Sequence, residues 1–202
     1  MAIPTTEQQS ELDAVNQILA SVGQAPVNTL DQTNPDVSIA FDTLNNVSRE
    51  IQAEGWSFNK EYHYPLTRDT NDEITIPNNV IQMDVSSKYG AIDTVRRNGK
   101  LYDRNKHSYA FTQDLEGDVV WLFDWADLPI PIQDYIVARA SSITSTRLVG
   151  DAQQYQILST REAKMRANAI EYDCNQGDYT YFGHPASGNF YNSYQPYRAL
   201  RR

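Results

Sequence analysis

Apolar residues in the first quarter of the chain recur at helical spacing. Between Glu11 and Gly23, Leu12, Val15, Leu19 and Val22 fall at intervals of 3, 4 and 3, with Ile18 widening the stripe; this is one face of a 3.6-residue helix. Gly23 is placed to take the left-handed conformation that ends a helix, and Pro26 prevents its resumption. Asn34 can cap a second helix, with Pro35 at its first position, where a missing N–H costs nothing. Phe41, Leu44, Val47 and Ile51 make its inward stripe, and Gly55 closes it. Trp56 and Phe58 then alternate as a strand does. The pattern predicts a helical hairpin over 1–55, anchored at its end by a buried Trp and launching a β-region.

Over 56–128 the period changes. Short β-rich runs (Tyr62–Thr67, Glu73–Pro77, Val80–Val85, Ala91–Arg97, Lys100–Tyr102 and Val119–Phe123) are separated by Pro, Asn and Gly. Asn98-Gly99 between two such runs predicts a two-residue type I′ hairpin, since both residues tolerate positive φ. The run from Asp118 to Asp124 reads as a buried strand with acids at its ends. Helical pattern returns over 129–174. Ile132, Ile136, Ala140 and Ile143 make one stripe, which Gly150 terminates. Asp151 can cap a last helix over 152–173, whose seam is Tyr155, Leu158, Glu162, Met165, Ala169 and Tyr172. The expected class is α+β, mainly α: an antiparallel helix bundle with an inserted small antiparallel β-region and an extended C-terminal arm.

That arm, 175–202, has five of the thirteen tyrosines, two phenylalanines and one leucine, with no Ile, Val or Met. It is too poor in aliphatic residues to build a core and too aromatic for an inert linker, so it fits a segment that orders on a partner. The alternative is a tail wrapped on its own bundle.

Composition narrows the function. A chain of 202 residues is one domain or a domain with an insertion. No apolar run approaches the ~20 residues of a membrane span, and the polar N-terminus has no signal-peptide character. The single cysteine, Cys174, excludes an internal disulfide and a cysteine zinc cluster, which suits a reducing compartment such as cytoplasm. The net charge of −9 argues against ordinary nucleic-acid binding, because phosphate affinity depends on Lys and Arg.

Catalytic chemistry is thinly represented. The chain has no phosphate-cradling glycine loop, no Gly-x-Ser-x-Gly elbow and no His-Glu-x-x-His helix. His63, His107 and His184 stand far apart and read as turn or surface residues. Cys174 sits at the predicted end of a helix, where the dipole disfavours a thiolate. Asp124 and Asp127 flank Trp125 beside an aromatic strand, the ingredients of a glycoside-cleaving pair; a solvated strand-to-helix turn, with Asp127 helping to cap, is the favoured reading of them. Arg96, Arg97, Lys100, Arg104 and Lys106, interleaved with Tyr102 and Tyr109, superficially resemble a nucleic-acid face. Arg96 and Arg97 point to opposite sides of a strand, however, and Asp93 and Asp103 lie close by, which favours local ion pairing or a protein-facing edge.

The stretches Glu-Leu-Asp-Ala-Val-Asn-Gln-Ile-Leu-Ala-Ser-Val-Gly-Gln-Ala-Pro-Val-Asn-Thr-Leu (11–30) and Ile-Gln-Ala-Glu-Gly-Trp-Ser-Phe-Asn (51–59) resemble the tail tubular protein A family, the adaptors or gatekeepers of short-tailed podovirus phages. Leu-Tyr-Asp-Arg (101–104) and Tyr-Ile-Val-Ala-Arg-Ala-Ser (135–141), leading to Arg147 and Gly150, extend the resemblance in the same order. It implies a virion structural protein without catalysis or cofactor: a dodecameric ring under the portal, joined to the tubular nozzle and helping tail-fibre attachment, with DNA passing through its lumen. In that setting the aromatic arm becomes a docking strap for portal or neighbour. Its anchors would be Tyr179, Tyr181, Phe182, Phe190, Tyr191, Tyr194 and Tyr197, with Arg198, Arg201 and Arg202 pairing with acidic partner surface. The runner-up is an adaptor that also hydrolyses polysaccharide, using Asp124 and Asp127; a third reading is a free-standing nucleic-acid module on the basic hairpin.

Overall fold

The computed structural model describes residues 10–90 and 92–177. Helix α1, Glu11–Ser21, starts at a capping box: Ser10 Oγ accepts from the Asp13 N–H, and the Asp13 carboxylate returns the bond to Ser10. It buries Ala14, Val15, Ile18 and Leu19 and ends at Gly23, whose φ of +78° lets the chain reverse. Asn34 caps α2, Pro35–Gln52, by accepting from the Asp36 N–H at 3.0 Å. Val37, Ala40, Leu44, Val47 and Ile51 of α2 are buried, and each large aliphatic side chain so buried contributes roughly 1.5–3 kcal/mol.

The expected strand at Trp56–Phe58 is instead a turn. Asn59 Oδ1 accepts from the Trp56 N–H at 2.9 Å, and the Trp56 carbonyl accepts from the N–H groups of Asn59 and Lys60. Trp56 is buried as expected, donating its indole N–H to the Ile51 carbonyl at 2.7 Å. The first strand, β1, runs over Lys60–Leu66. It is followed by β2 at Val80–Val85, the hairpin strands β3 (Thr94–Arg97) and β4 (Lys100–Asp103), and β5 at Leu115–Trp121.

The strands form two groups, a three-stranded antiparallel sheet in the order β1-β5-β2 and the β3-β4 hairpin. Asn98 and Gly99 at the hairpin tip have φ of +53° and +71°, as a type I′ turn needs. The run Glu73–Pro77 makes only isolated bridges, Glu73 to Ala110 and Thr75 to Lys100. The strand expected over Val119–Phe123 lies earlier, so Asp118 sits mid-strand rather than at its end. Leu115-Glu116-Gly117 does not advertise a strand, yet Gly117 is required there. A Cβ on it would lie 2.6 Å from the Asp84 carbonyl oxygen of the neighbouring strand.

After one 3₁₀ turn at Trp125–Asp127 come α3, Ile130–Leu148, and α4, Ala152–Gly177. The single stripe expected for α3 is incomplete, because this helix is buried on nearly every side. Gln133, Val137, Ala138, Ser141, Ser142, Thr144 and Ser145 are inside along with Ile132, Tyr135, Ile136 and Ala140. Its small residues let neighbours approach closely, and α1, α2 and α4 all pack against it. Helix α4 is longer than its expected end at 173 and buries only Leu158, Ala169 and Gly177. The seam residue Tyr155 is 49% exposed. The protein is mixed α and β, with four helices and antiparallel sheets. One hydrophobic cluster joins all four helices with Trp56 and Trp125; a second joins Leu66, Ile74, Ile76, Leu101, Phe111, Leu115 and Trp121 in the β-region. Among the described residues no helix is long and apolar enough to cross a membrane.

Candidate functional site

Where the chain passes from helices to strands and back, two buried amides hold both crossings. Asn59 Nδ2 donates to the carbonyls of Gln52 and Trp121, each at 2.8 Å. Gln52 Oε1 accepts from the Phe123 N–H at 2.8 Å, and Gln52 Nε2 donates to Ser48 Oγ and to the Phe123 carbonyl. Phe123 itself packs against both hydrophobic clusters. Side chains that would be liabilities in an apolar interior are each satisfied by the other segment's backbone. The β-region is therefore held in one orientation to the helices at this point.

A second set of polar contacts fixes α4. Arg139 of α3 pairs with Glu50 of α2 at 2.7 Å and with Glu162 of α4 at 3.2 Å. Arg166 of α4 reaches Glu54 at 3.3 Å and donates to the Tyr135 hydroxyl at 3.0 Å. Asp173 accepts from the Ser57 N–H at 2.6 Å, and Gln154 donates to the Ser21 carbonyl. These contacts serve the inner side of the helix. On its outer side Ile157 is 71% exposed and lies in a shallow hollow with Gln153, Gln156 and Thr160. Leu148 and Val149 at the α3–α4 corner are exposed too, next to an open groove of about 360 Å³ lined by Arg139, Arg147 and Tyr155 among others. Sequence reasoning did not single out this surface. The adjacent pair Ile157-Leu158 carried a signal, because neighbouring residues on a helix point in different directions and only Leu158 can face α3.

The basic cluster is engaged locally. Arg96 donates to the Val80 carbonyl at 2.9 Å and to Asn78, whereas Arg97 stacks over the Tyr102 ring at 4.2 Å on the other side. Lys100 pairs with Glu73, and Arg104 with Asp93 at 2.6 Å. Tyr102 meets Tyr109 edge-on rather than presenting a flat platform. Asp124 and Asp127 are both exposed and lie at one short turn, where the Asp127 N–H donates to the Asp124 carbonyl. Asp124 lines a cleft of about 280 Å³ with Glu11, Asn45, Ser48, Arg49 and Phe123; Asp127 is not part of that lining. His63 and His107 occupy positive-φ positions, His63 at a β-bulge in β1. Among the described residues no three His, Cys, Asp or Glu side chains come together as a metal site. Cys174 is exposed on the last turns of α4. The arm residues Tyr179, Tyr181, Phe182, Phe190, Tyr191, Tyr194, Tyr197, Arg198, Arg201 and Arg202, as well as His184, lie outside the described residues.

The sequence profile of the family described as tail tubular protein matches residues 12–179. The chain is also 30% identical over 122 residues to tail tubular protein A of Klebsiella phage KP34, a match covering 59% of this chain and 62% of that relative's length. The long stretch matched takes in all four helices and both β groups, and the chain belongs to the tail tubular protein family, structural proteins of the viral tail.

Proposed function

We propose that the chain is an adaptor subunit of a short-tailed phage tail and acts by assembly rather than catalysis. Copies form a dodecameric ring between the portal and the nozzle, tail tubular protein B, and the ring offers attachment to tail fibres. The family match over residues 12–179 carries this reading. The named relative in phage KP34 adds support for an A-type, rather than nozzle-type, component.

The division of labour follows the chain. Residues 1–55 and 129–174 make the helical body, 56–128 an inserted β-region, and 175–202 a strap for portal or neighbour. A closed ring of identical subunits needs two different lateral surfaces on each, and a helical body with a second, β-sheet unit supplies distinct faces. Genomic DNA crosses the lumen without sequence-specific binding. A chain at −9 suits that passage, because an acidic wall repels phosphates and lets DNA slide. The ring is assembled in the host cytoplasm and resides in the virion tail, with no membrane partner.

Mass photometry of the purified chain, alone and mixed with portal rings, tests the reading. The expected result is a portal particle heavier by about twelve copies, in line with closed-ring assembly. A chain that leaves the portal mass unchanged at every salt concentration would refute it.

A further inference from the structure

We propose that the outer face of α4 is one half of a head-to-tail contact, docking on the acidic outer face of α1 and α2 of a second copy. The proposal rests on the ring reading and names the two surfaces that would close it.

The first surface is defined by what α4 leaves unused. Its inner cation, Arg166, is committed to Glu54 and Tyr135, and its inner acid, Glu162, to Arg139. Arg161 and Lys164 are exposed and take part in no ion pair among the described residues; Arg161 acts on Asp134 of α3 only over a longer range. One helical turn before them, Ile157 stands 71% exposed. Ile157, Arg161 and Lys164 are spaced 4 and 3 apart, so they form one exposed stripe with an apolar knob followed by two positive charges that make no ion pair among the described residues.

The second surface has the opposite character. Between residues 11 and 54 there are seven acids and a single cation, Arg49. Glu50 and Glu54 are neutralised by Arg139 and Arg166 within the same copy. Asp13 closes the cap of α1, while Glu11 and Asp42 are exposed and in no ion pair among the described residues. Glu11 lines the cleft with Asn45 and Arg49, and Asp42 sits one turn away from Asn45 on the same helix. Asp124 adds a further carboxylate at the cleft, and Leu122 and Phe123 give it an apolar floor that Ile157 can cover. This arrangement gives Asp124 a use that catalysis does not.

The two faces lie on elements that share α3 as their main neighbour. A contact between them joins different patches, which propagates head to tail instead of closing a two-fold dimer. Charged rims of this kind chiefly set orientation, association rate and salt dependence.

The test uses the full chain and follows self-association, alone and on portal rings, by sedimentation velocity and mass photometry. Arg161→Glu with Lys164→Glu, and separately Glu11→Lys with Asp42→Lys, are expected to weaken association roughly tenfold or more each, while the chain carrying all four changes recovers it. Ile157→Asp is expected to weaken it as well. All five positions are surface-exposed, and circular dichroism verifies that each variant is folded. Reversed variants that assemble like the wild type, or a four-fold variant that assembles no better than either pair, would overturn this contact and leave the ring reading standing. A wild-type chain that never self-associates, with or without portal, would overturn both.

Discussion

Asn59 shows how much one side chain can hold. Its amide serves the Trp56 N–H and the carbonyls of Gln52 and Trp121 at once, and it is buried. Replacing it with Ala takes a partner from all three groups; the Gln52 carbonyl keeps the Gly55 N–H, while the Trp56 N–H and the Trp121 carbonyl lose the Asn59 amide in an apolar junction. Unsatisfied buried groups cost about 1–3 kcal/mol each, with some relief by relaxation, so Asn59→Ala is expected to lose roughly 3 kcal/mol. Urea unfolding measures this directly, and a loss under about 1 kcal/mol would mean that water reaches the junction. At this scale the sequence was legible wherever chemistry is local. Asn34 as a cap, Gly23 as a stop and Asn98-Gly99 as a turn are all decided within four residues. The role of Asn59 was not legible, because its partners sit 7 and 62 residues away. Its neighbour Trp56 was read correctly as buried and wrongly as strand, since alternation alone cannot reveal a side chain that folds the backbone into a turn.

At the scale of elements, α3 departs furthest from its pattern. A stripe of Ile and Ala implies one covered face, yet the helix is central and even its Gln, Ser and Thr positions are inside. Ser and Thr look polar in sequence but are small enough to fit between helices: the hydroxyls of Thr144 and Ser145 are buried with no hydrogen-bond partner among the described residues, whereas Thr146, which bonds the Ser142 carbonyl, is exposed. The strands of the β-region were located well where β-branched residues gather and poorly at Leu115–Gly117, where close packing demands a glycine. One group on α3 gives a pH prediction. Partial burial raises the pKa of the Asp134 carboxyl, against the weaker opposing pull of Arg161. A folded-state pKa above the unfolded one means that the proton favours the folded chain. The ionised carboxylate is therefore a cost, which is complete at neutral pH and vanishes once the pH falls below the unfolded value of about 3.9. Asp134→Asn is expected to raise the melting temperature slightly at pH 7, with the gain shrinking toward zero near pH 3. A pH-independent gain would attribute the effect to packing instead.

For the whole molecule, the candidate site was legible only in part, and the reason is physical. A contact surface is a property of what a fold leaves uncovered, and that is known only after the core is assigned. The seam of α4 read inward from Tyr155, yet Tyr155 is half exposed and the exposed stripe begins at Ile157. The aromatic arm, by contrast, stood out from composition alone. Its proposed role as a strap separates cleanly from folding. Among the described residues α4 ends at Gly177, and the hydrophobic cluster joining the four helices draws on no residue beyond Ala169. On the strap reading, deleting 179–202 is expected to leave the melting temperature within about 2 °C of the full chain, since a segment that orders on a partner adds little to the stability of the chain alone. Portal binding should fall at least ~100-fold, because several aromatic anchors are removed together and each is commonly worth 1 kcal/mol or more. Titration of portal rings with full-length and shortened chains compares the two affinities, and equal affinities would assign portal recognition to the helical body. A shortened chain that still self-associates but no longer adds to portal would separate the two contacts, with α4 and the α1–α2 face joining neighbours and the arm joining the ring to the portal.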